Sequence, residues 1–298
     1  MLVPALVLLL AQGQAARPET PLAPAPDPAA ADRAFAARAA EVGVNAAFLE
    51  VLGQDAALFQ PHPVVGRTWM QIHPDDGQLA WEPRAQVVSR AGDLGVTLGT
   101  YTYSREGEVL SAGHYVSVWM RSGEGPWRLL ADLGTPHAAP ATEVPYSRFA
   151  LAPRRDGEAS APNLSQQETF LRKVEGDLAE VLAAGRDPGL ATVFWADDHT
   201  VVLRPGTPPA FGQDPAAAEQ RNAWQGGRRI RQGLSRVVLA RSGDLAITWG
   251  DLAPLVEGAA AGGRSGIEAS AGGWLRVWRN DPDEDAWRIL AEVVLPPQ

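Results

Sequence analysis

The chain contains no cysteine. Disulfides, a thiol nucleophile and a cysteine-linked lipid anchor are therefore excluded, and an oxidising compartment would be tolerated without being exploited. Positive charge is in deficit: 26 Lys and Arg face 35 Asp and Glu, for a net charge of −9 and a pI near 5.1. Nucleic acid and anionic membrane surfaces reward clustered Lys and Arg, so this balance argues against both as partners. The apolar run Leu2–Ala11 is too short to cross a bilayer, and no stable membrane insertion is expected. A His-Glu-x-x-His pair, a Gly-rich phosphate loop and a nucleophile elbow are also missing, and no cofactor is implied. His62 and His73 with Asp75 or Asp76, and His199 beside Asp197 and Asp198, match no metal-ligand spacing.

What is present is repetition. Ser89-Arg90-Ala91-Gly92-Asp93-Leu94-Gly95-Val96-Thr97-Leu98-Gly99 returns as Ala240-Arg241-Ser242-Gly243-Asp244-Leu245-Ala246-Ile247-Thr248-Trp249-Gly250. Each copy leads into a glycine-led strand ending in tryptophan, then into Trp-Arg and a short apolar run: Trp127-Arg128-Leu129-Leu130-Ala131-Asp132 and Trp287-Arg288-Ile289-Leu290-Ala291-Glu292. The pattern implies two copies of a unit of about 130 residues, each an ordinary domain length. A hydrophobic content of 45 % is enough to give each its own core.

Residues 1–15 read as a secretory signal, an apolar segment followed by the small-x-small Gly13-Gln14-Ala15, although its basic leader is missing. A secreted or periplasmic location is therefore expected. Residues 16–29 form a Pro/Ala-rich flexible leader, 30–136 a first domain, 137–163 a Pro-rich linker and 164–298 a second domain. In the first domain, helical spacing covers Ala30–Glu41 and Val44–Leu52, and Gly66–Trp69 opens a short helix or turn. Strands then follow in a meander through Leu79–Val88, Leu94–Ser104, Gly113–Met120 and Trp127–Leu133. In the second, Ser165 and Glu168 suggest a capping box for a helix over Gln166–Ala184, with Phe170, Val174, Leu178, Val181 and Leu182 on its apolar face. Strands are expected at Gly233–Ala240, Leu245–Leu252, Gly273–Trp278 and Trp287–Val294. Helices first and strands after is an α+β order.

Both halves resemble the nuclear-transport-factor-2-like superfamily, in its SnoaL-like and ketosteroid-isomerase-like bacterial branch. The resemblance rests on Asp55-Ala56-Ala57-Leu58-Phe59, the Gly-Asp-Leu-Gly-x-Thr-x-Gly start of a strand, Gly113–Trp119 and Gly125–Asp132, and it spans about 250 of the 298 residues. The second copy departs from it, with Ala246 for Gly95, Trp274 for Tyr115 and Glu292 for Asp132. The resemblance implies two cone-shaped domains, each with helices on a strongly curved antiparallel sheet around an apolar pocket. It also implies an intrachain pseudo-dimer that could be monomeric in solution.

Within such a pocket a single inward carboxyl can serve as general acid or base, because burial raises its pKa, and a tyrosine can support it. Asp132, Tyr101 and His114 are the catalytic candidates; Trp81, Tyr103, Trp119, Trp249 and Glu292 are the ligand-binding ones. Strand parity does not say which of the tyrosines face inward. Asp132 could equally pair with Arg128, and the repeated tryptophans could equally be core. Glu292 stands among Arg236, Arg241, Arg276, Arg279 and Arg288, which could satisfy it at the surface. The expected function is binding of a small apolar ligand or a protein partner; the alternative is an isomerase- or dehydratase-type enzyme with Asp132 as base.

Overall fold

The central strands of both sheets bury both of their faces, and the architecture follows from that. The computed structural model describes residues 26–138, 144–151, 162–185, 197–215, 217–218, 229–255, 271–281 and 286–297. The expected signal segment, most of the leader and part of the linker lie outside them.

Two helices, α1 (Pro28–Val42) and α2 (Val44–Val51), open the chain. Asp27 caps α1 by accepting from the Ala30 amide, and Pro28 occupies the first turn, where its missing N–H costs nothing. Next come β1 (Leu52–Phe59), β2 (Pro63–Val65), α3 (Gly66–Ile72), β3 (Gln78–Val88), β4 (Leu94–Arg105), β5 (Glu108–Met120) and β6 (Arg128–Pro136). The first sheet has the order β2-β1-β6-β5-β4-β3. After a 3₁₀ turn at Tyr146–Arg148, α4 spans Leu164–Ala183. The second sheet is built from β7 (Val201–Arg204), β8 (Thr207–Phe211), β9 (Ile230–Gln232), β10 (Arg236–Leu239), β11 (Leu245–Pro254), β12 (Gly272–Asp281) and β13 (Ala286–Leu295). Its order is β10-β11-β12-β13-β7-β8, with β9 also paired to β11.

The α+β class stands, but the cone does not. Neither sheet is closed or strongly curled; each is an open ladder whose end strands do not meet. Nor is either sheet purely antiparallel: β1 runs parallel to β6, and β7 parallel to β13. β1 is far from β6 in sequence, which leaves ample chain for a parallel return. It was unreadable as a strand because Gln54 and Asp55 are exposed and residues 56–59 are then buried without alternation.

The two sheets lie face to face, which explains why they stay open. Leu94, Val96, Leu98, Val116, Val118 and Leu133 form one buried cluster with Leu245, Ile247, Trp249, Leu275, Val277 and Val293. The intervening residues point the other way. Trp119 and Leu129 pack under α1 and α2 with Phe35 and Phe48, and Trp278 and Ile289 pack under α4 with Leu171 and Val174. The layers therefore run helix, sheet, sheet, helix, and every central strand buries both faces. The α4 face differs from expectation by one step: Phe170 is exposed, while Leu171 and Glu175 are buried. Its cap is Asn163, whose side chain accepts from the Gln166 amide, and Glu168 instead pairs with Arg172.

The halves also touch at the repeated turns. The Arg90 amide donates to the Asp244 carboxylate at 3.0 Å, and the Arg241 amide donates to the Asp93 carboxylate at 3.1 Å. Each turn thus closes onto the other through the same pair of positions.

Candidate functional site

A cavity of about 370 Å³ lies between the helices and the first sheet. Phe35 comes from α1, Phe48 from α2, Phe59 from β1, Leu79 and Trp81 from β3, Tyr101 and Tyr103 from β4, Ser111 and Tyr115 from β5, and Asp132 and Gly134 from β6. An adjoining recess of about 390 Å³ shares Asp132, Phe48 and Tyr103 and extends past Asn45, His73, Asp75 and Arg105. Strand alternation supplies the wall: Tyr101 and Tyr103 are two apart on β4, and Asp132 and Gly134 two apart on β6.

Asp132, partly buried on β6, is the carboxylic acid lining the inner chamber. It lies opposite Ser117 in the β5–β6 ladder, and the Ser117 hydroxyl donates to it at 2.5 Å. Burial pushes its carboxyl up to about 7, against the pull of the Ser117 hydrogen bond, and the charge of Asp32 adds to the rise. Arg128, a conceivable partner by sequence, instead donates to the Glu50 carbonyl.

Asp32 was missed in the sequence. It is fully buried on α1 and accepts from Trp81 Nε1 at 2.7 Å and from the Tyr115 hydroxyl at 2.8 Å. Burial raises its pKa, while Thr97, Trp81 and Tyr115 act in the opposite sense. Burial and the nearby Asp32 hold the Tyr115 phenol well above its ordinary range. The available signal was an acid on the buried stripe of α1, one turn before Phe35.

The other candidates divide. Tyr101 and Tyr103 reach the cavity; Tyr101 shares a hydrogen bond with Ser111, and Tyr103 donates to Asp75. Trp81 also lines it. His114 does not: it is one residue from Tyr115, so it points to the opposite face of β5. There it is fully buried, 2.6 Å from His137 Nε2 and 2.8 Å from the Tyr146 hydroxyl. Trp119 is buried in the helix-side core, with its N–H donated to Thr97. Trp249 faces the other sheet.

Glu292 is no surface group. It lies in a fully buried network in which Arg276 donates to both Glu292 and Glu175, and Arg204 adds a second cation to Glu292 at 3.0 Å. This network occupies the positions of the first half's cavity. Ser117 lies opposite Asp132 and beside Thr97; Arg276 lies opposite Glu292 and beside Thr248. Trp119 donates to Thr97, and Trp278 donates to Thr248. Thr97 bonds the helix acid Asp32, and Thr248 donates to the helix acid Glu175. Two carboxylates, one from the helix and one from the last strand, are thus set alike in both halves. Between them stands a serine in the first half and an arginine in the second.

No protein-family model matches the chain, and no curated protein matches it either. Among solved structures, a domain of unknown function with a cystatin-like fold from Nostoc punctiforme is 16 % identical, at a TM-score of 0.34, covering 45 % of this chain and 79 % of its own. A nuclear-transport-factor-2-like protein of unknown function from Pseudomonas putida is 14 % identical, at a TM-score of 0.34, covering 45 % and 88 %. A further such protein with a cystatin-like fold, from Novosphingobium aromaticivorans, is 17 % identical, at a TM-score of 0.31, covering 45 % and 83 %. At these values nothing of their chemistry carries over to this chain. Among the described residues, no helix is long and apolar enough to cross a membrane.

Proposed function

We propose that the first half holds a small, largely apolar ligand in the cavity between α1, α2 and its sheet, with Asp132 as the ionisable anchor. One observation carries the reading. The chamber of about 370 Å³ is walled by aromatic rings from six separate elements and contains an acid that pairs with no basic side chain among the described residues. Ligand sites are commonly of this kind, mostly apolar with a few convergent polar groups. The second half supports rather than binds, since Arg276 fills the corresponding position. We read the repeated turns, the matching strand orders and the paired acids as the trace of a duplicated SnoaL-like unit in which one copy kept its pocket.

A neutral bicyclic aromatic such as 2-naphthol, followed through tryptophan fluorescence, tests the site. The Ser111→Trp variant places a large ring into the chamber and should weaken binding about tenfold or more, the scale set by losing a substantial apolar contact. Unchanged affinity in that variant would locate the ligand elsewhere.

A second reading, acid–base chemistry of isomerase or dehydratase type, is favoured by the Asp132 carboxyl titrating at about 7. A base poised near the working pH exchanges protons most effectively.

A further inference from the structure

The second half contains an organic cation of its own. The guanidinium carbon of Arg276 lies 4.6 Å from the centroid of the Trp274 ring. The same group donates to Glu175 and Glu292, one acid on each side. Trp274 occupies the position that Tyr115 holds in the first half, because Trp274 is two residues before Arg276 and Tyr115 two residues before Ser117. The arrangement is therefore an aromatic ring and two carboxylates gathered around a delocalised positive charge.

The first half keeps the ring and the acids but not the charge. Asp32 and Asp132 take the acidic places, Tyr115 the aromatic one, and the Trp81 and Tyr101 rings also line the chamber. No Lys, Arg or His is among the residues lining the inner chamber. Arg33, next to Asp32, turns outward to Glu82 at 3.4 Å. Arg105, at the outer recess, is held by Asp75 and Asp76, each at 3.0 Å. Aromatic faces attract cations through their quadrupoles, and an uncompensated carboxylate in a poorly solvated chamber does so through its charge.

We propose that the ligand of this cavity is an organic cation, a protonated or quaternary amine with apolar substituents, whose charge stands against Asp132 as the Arg276 guanidinium stands against Glu292. The proposal rests on the cavity being a ligand site and adds the class of ligand.

The test compares benzyltrimethylammonium with neopentylbenzene, its neutral carbon isostere, by titration of the full chain at pH 8.5, where the Asp132 carboxyl is ionised. The cation should bind about tenfold tighter or more, and Asp132→Asn should bring the two to similar affinity. Equal affinity in the unaltered protein overturns the cation proposal and leaves the apolar pocket standing. If neither compound binds while 2-naphthol does, the cation proposal falls alone; if none of the three binds, the pocket reading falls with it. The comparison in the unaltered protein decides the matter even if the variant fails to fold.

Discussion

At the residue scale, Asp132 shows how a main-chain register becomes chemistry. Its position opposite Ser117 and two residues before Gly134 aims it into an apolar chamber, and the chamber sets its pKa. Because the folded value, about 7, lies above the ordinary 3.8, the group favours the folded state below pH 4 and loses that advantage as pH rises through 7. Asp132→Asn should therefore raise stability by about 2 kcal/mol or more at pH 8.5 and change it little at pH 4, since each pKa unit is about 1.4 kcal/mol. Chemical denaturation at the two pH values reads this; a uniform effect would mean that the carboxyl titrates normally. The same variant should abolish exchange of an enolisable C–H with solvent deuterium, if the acid–base reading holds. The sequence singled out Tyr101, Tyr103, Trp81 and Asp132, which line one cavity, but strand parity alone could not say that they share a face. His114 misled because a one-residue step on a strand reverses the face. Asp32 was illegible for the opposite reason: an acid inside a helix stripe reads as a surface residue until its strand-borne donors are known.

At the scale of elements, the second half's α4, β12 and β13 are joined by charge where the first half's α1, β5 and β6 enclose space. Arg276 is shared by acids on two elements and is itself almost wholly buried. Removing one partner of a buried ionic group leaves uncompensated charge, so Arg276→Met should destabilise by about 3–5 kcal/mol. A loss below 1 kcal/mol in urea unfolding would show that water already reaches the network. Double replacement of Glu175 and Glu292 by Gln in the Arg276→Met background should recover part of the loss. The glycines of the repeats belong to this scale as well. A Cβ on Gly99 would overlap the Glu82 carbonyl at the bulge in β3, and one on Gly250 would overlap the Gly233 carbonyl where β9 gives way to β10. Gly95 lies against Pro28 of α1, where a Cβ would overlap the proline ring; the second copy has Ala246 at the matching position. Helices and long strands could be read from apolar spacing; β1 and β2 could not, because their burial changes along their length rather than from side to side.

At the scale of the whole molecule, the sequence repeat marked a contact as well as a likeness. Asp93 and Asp244 each receive the backbone of the other turn, and Arg241 Nε adds a bond to Asp93 at 2.9 Å. Burial raises the Asp93 carboxyl, but the amide and side chain of Arg241 and the Ser89 hydroxyl more than offset this, and the net shift is downward from 3.8. A lowered folded value contributes stability above the unfolded pKa and loses it as pH falls through the folded one. Asp93→Asn should cost about 1–2 kcal/mol between pH 6 and 8, a range reduced because Arg241 is well exposed, and the cost should vanish toward pH 2. A cost that persists at pH 2 would assign the effect to packing instead. The sandwich itself was foreseen only as two curled cups. What hid it is that a strand buried by a helix on one side and a sheet on the other has the same apolar pattern as one lining a cone.

One consequence follows from the two ladders sharing a single polypeptide. In a homodimer every substitution arrives twice, so a guanidinium that plugs one chamber would plug its mate. On the proposed reading of a duplicated unit, Arg276 settles into one interior while Ser117 persists in the other, and the peptide linkage is what permits that asymmetry: one half is free to become scaffold without silencing the rest.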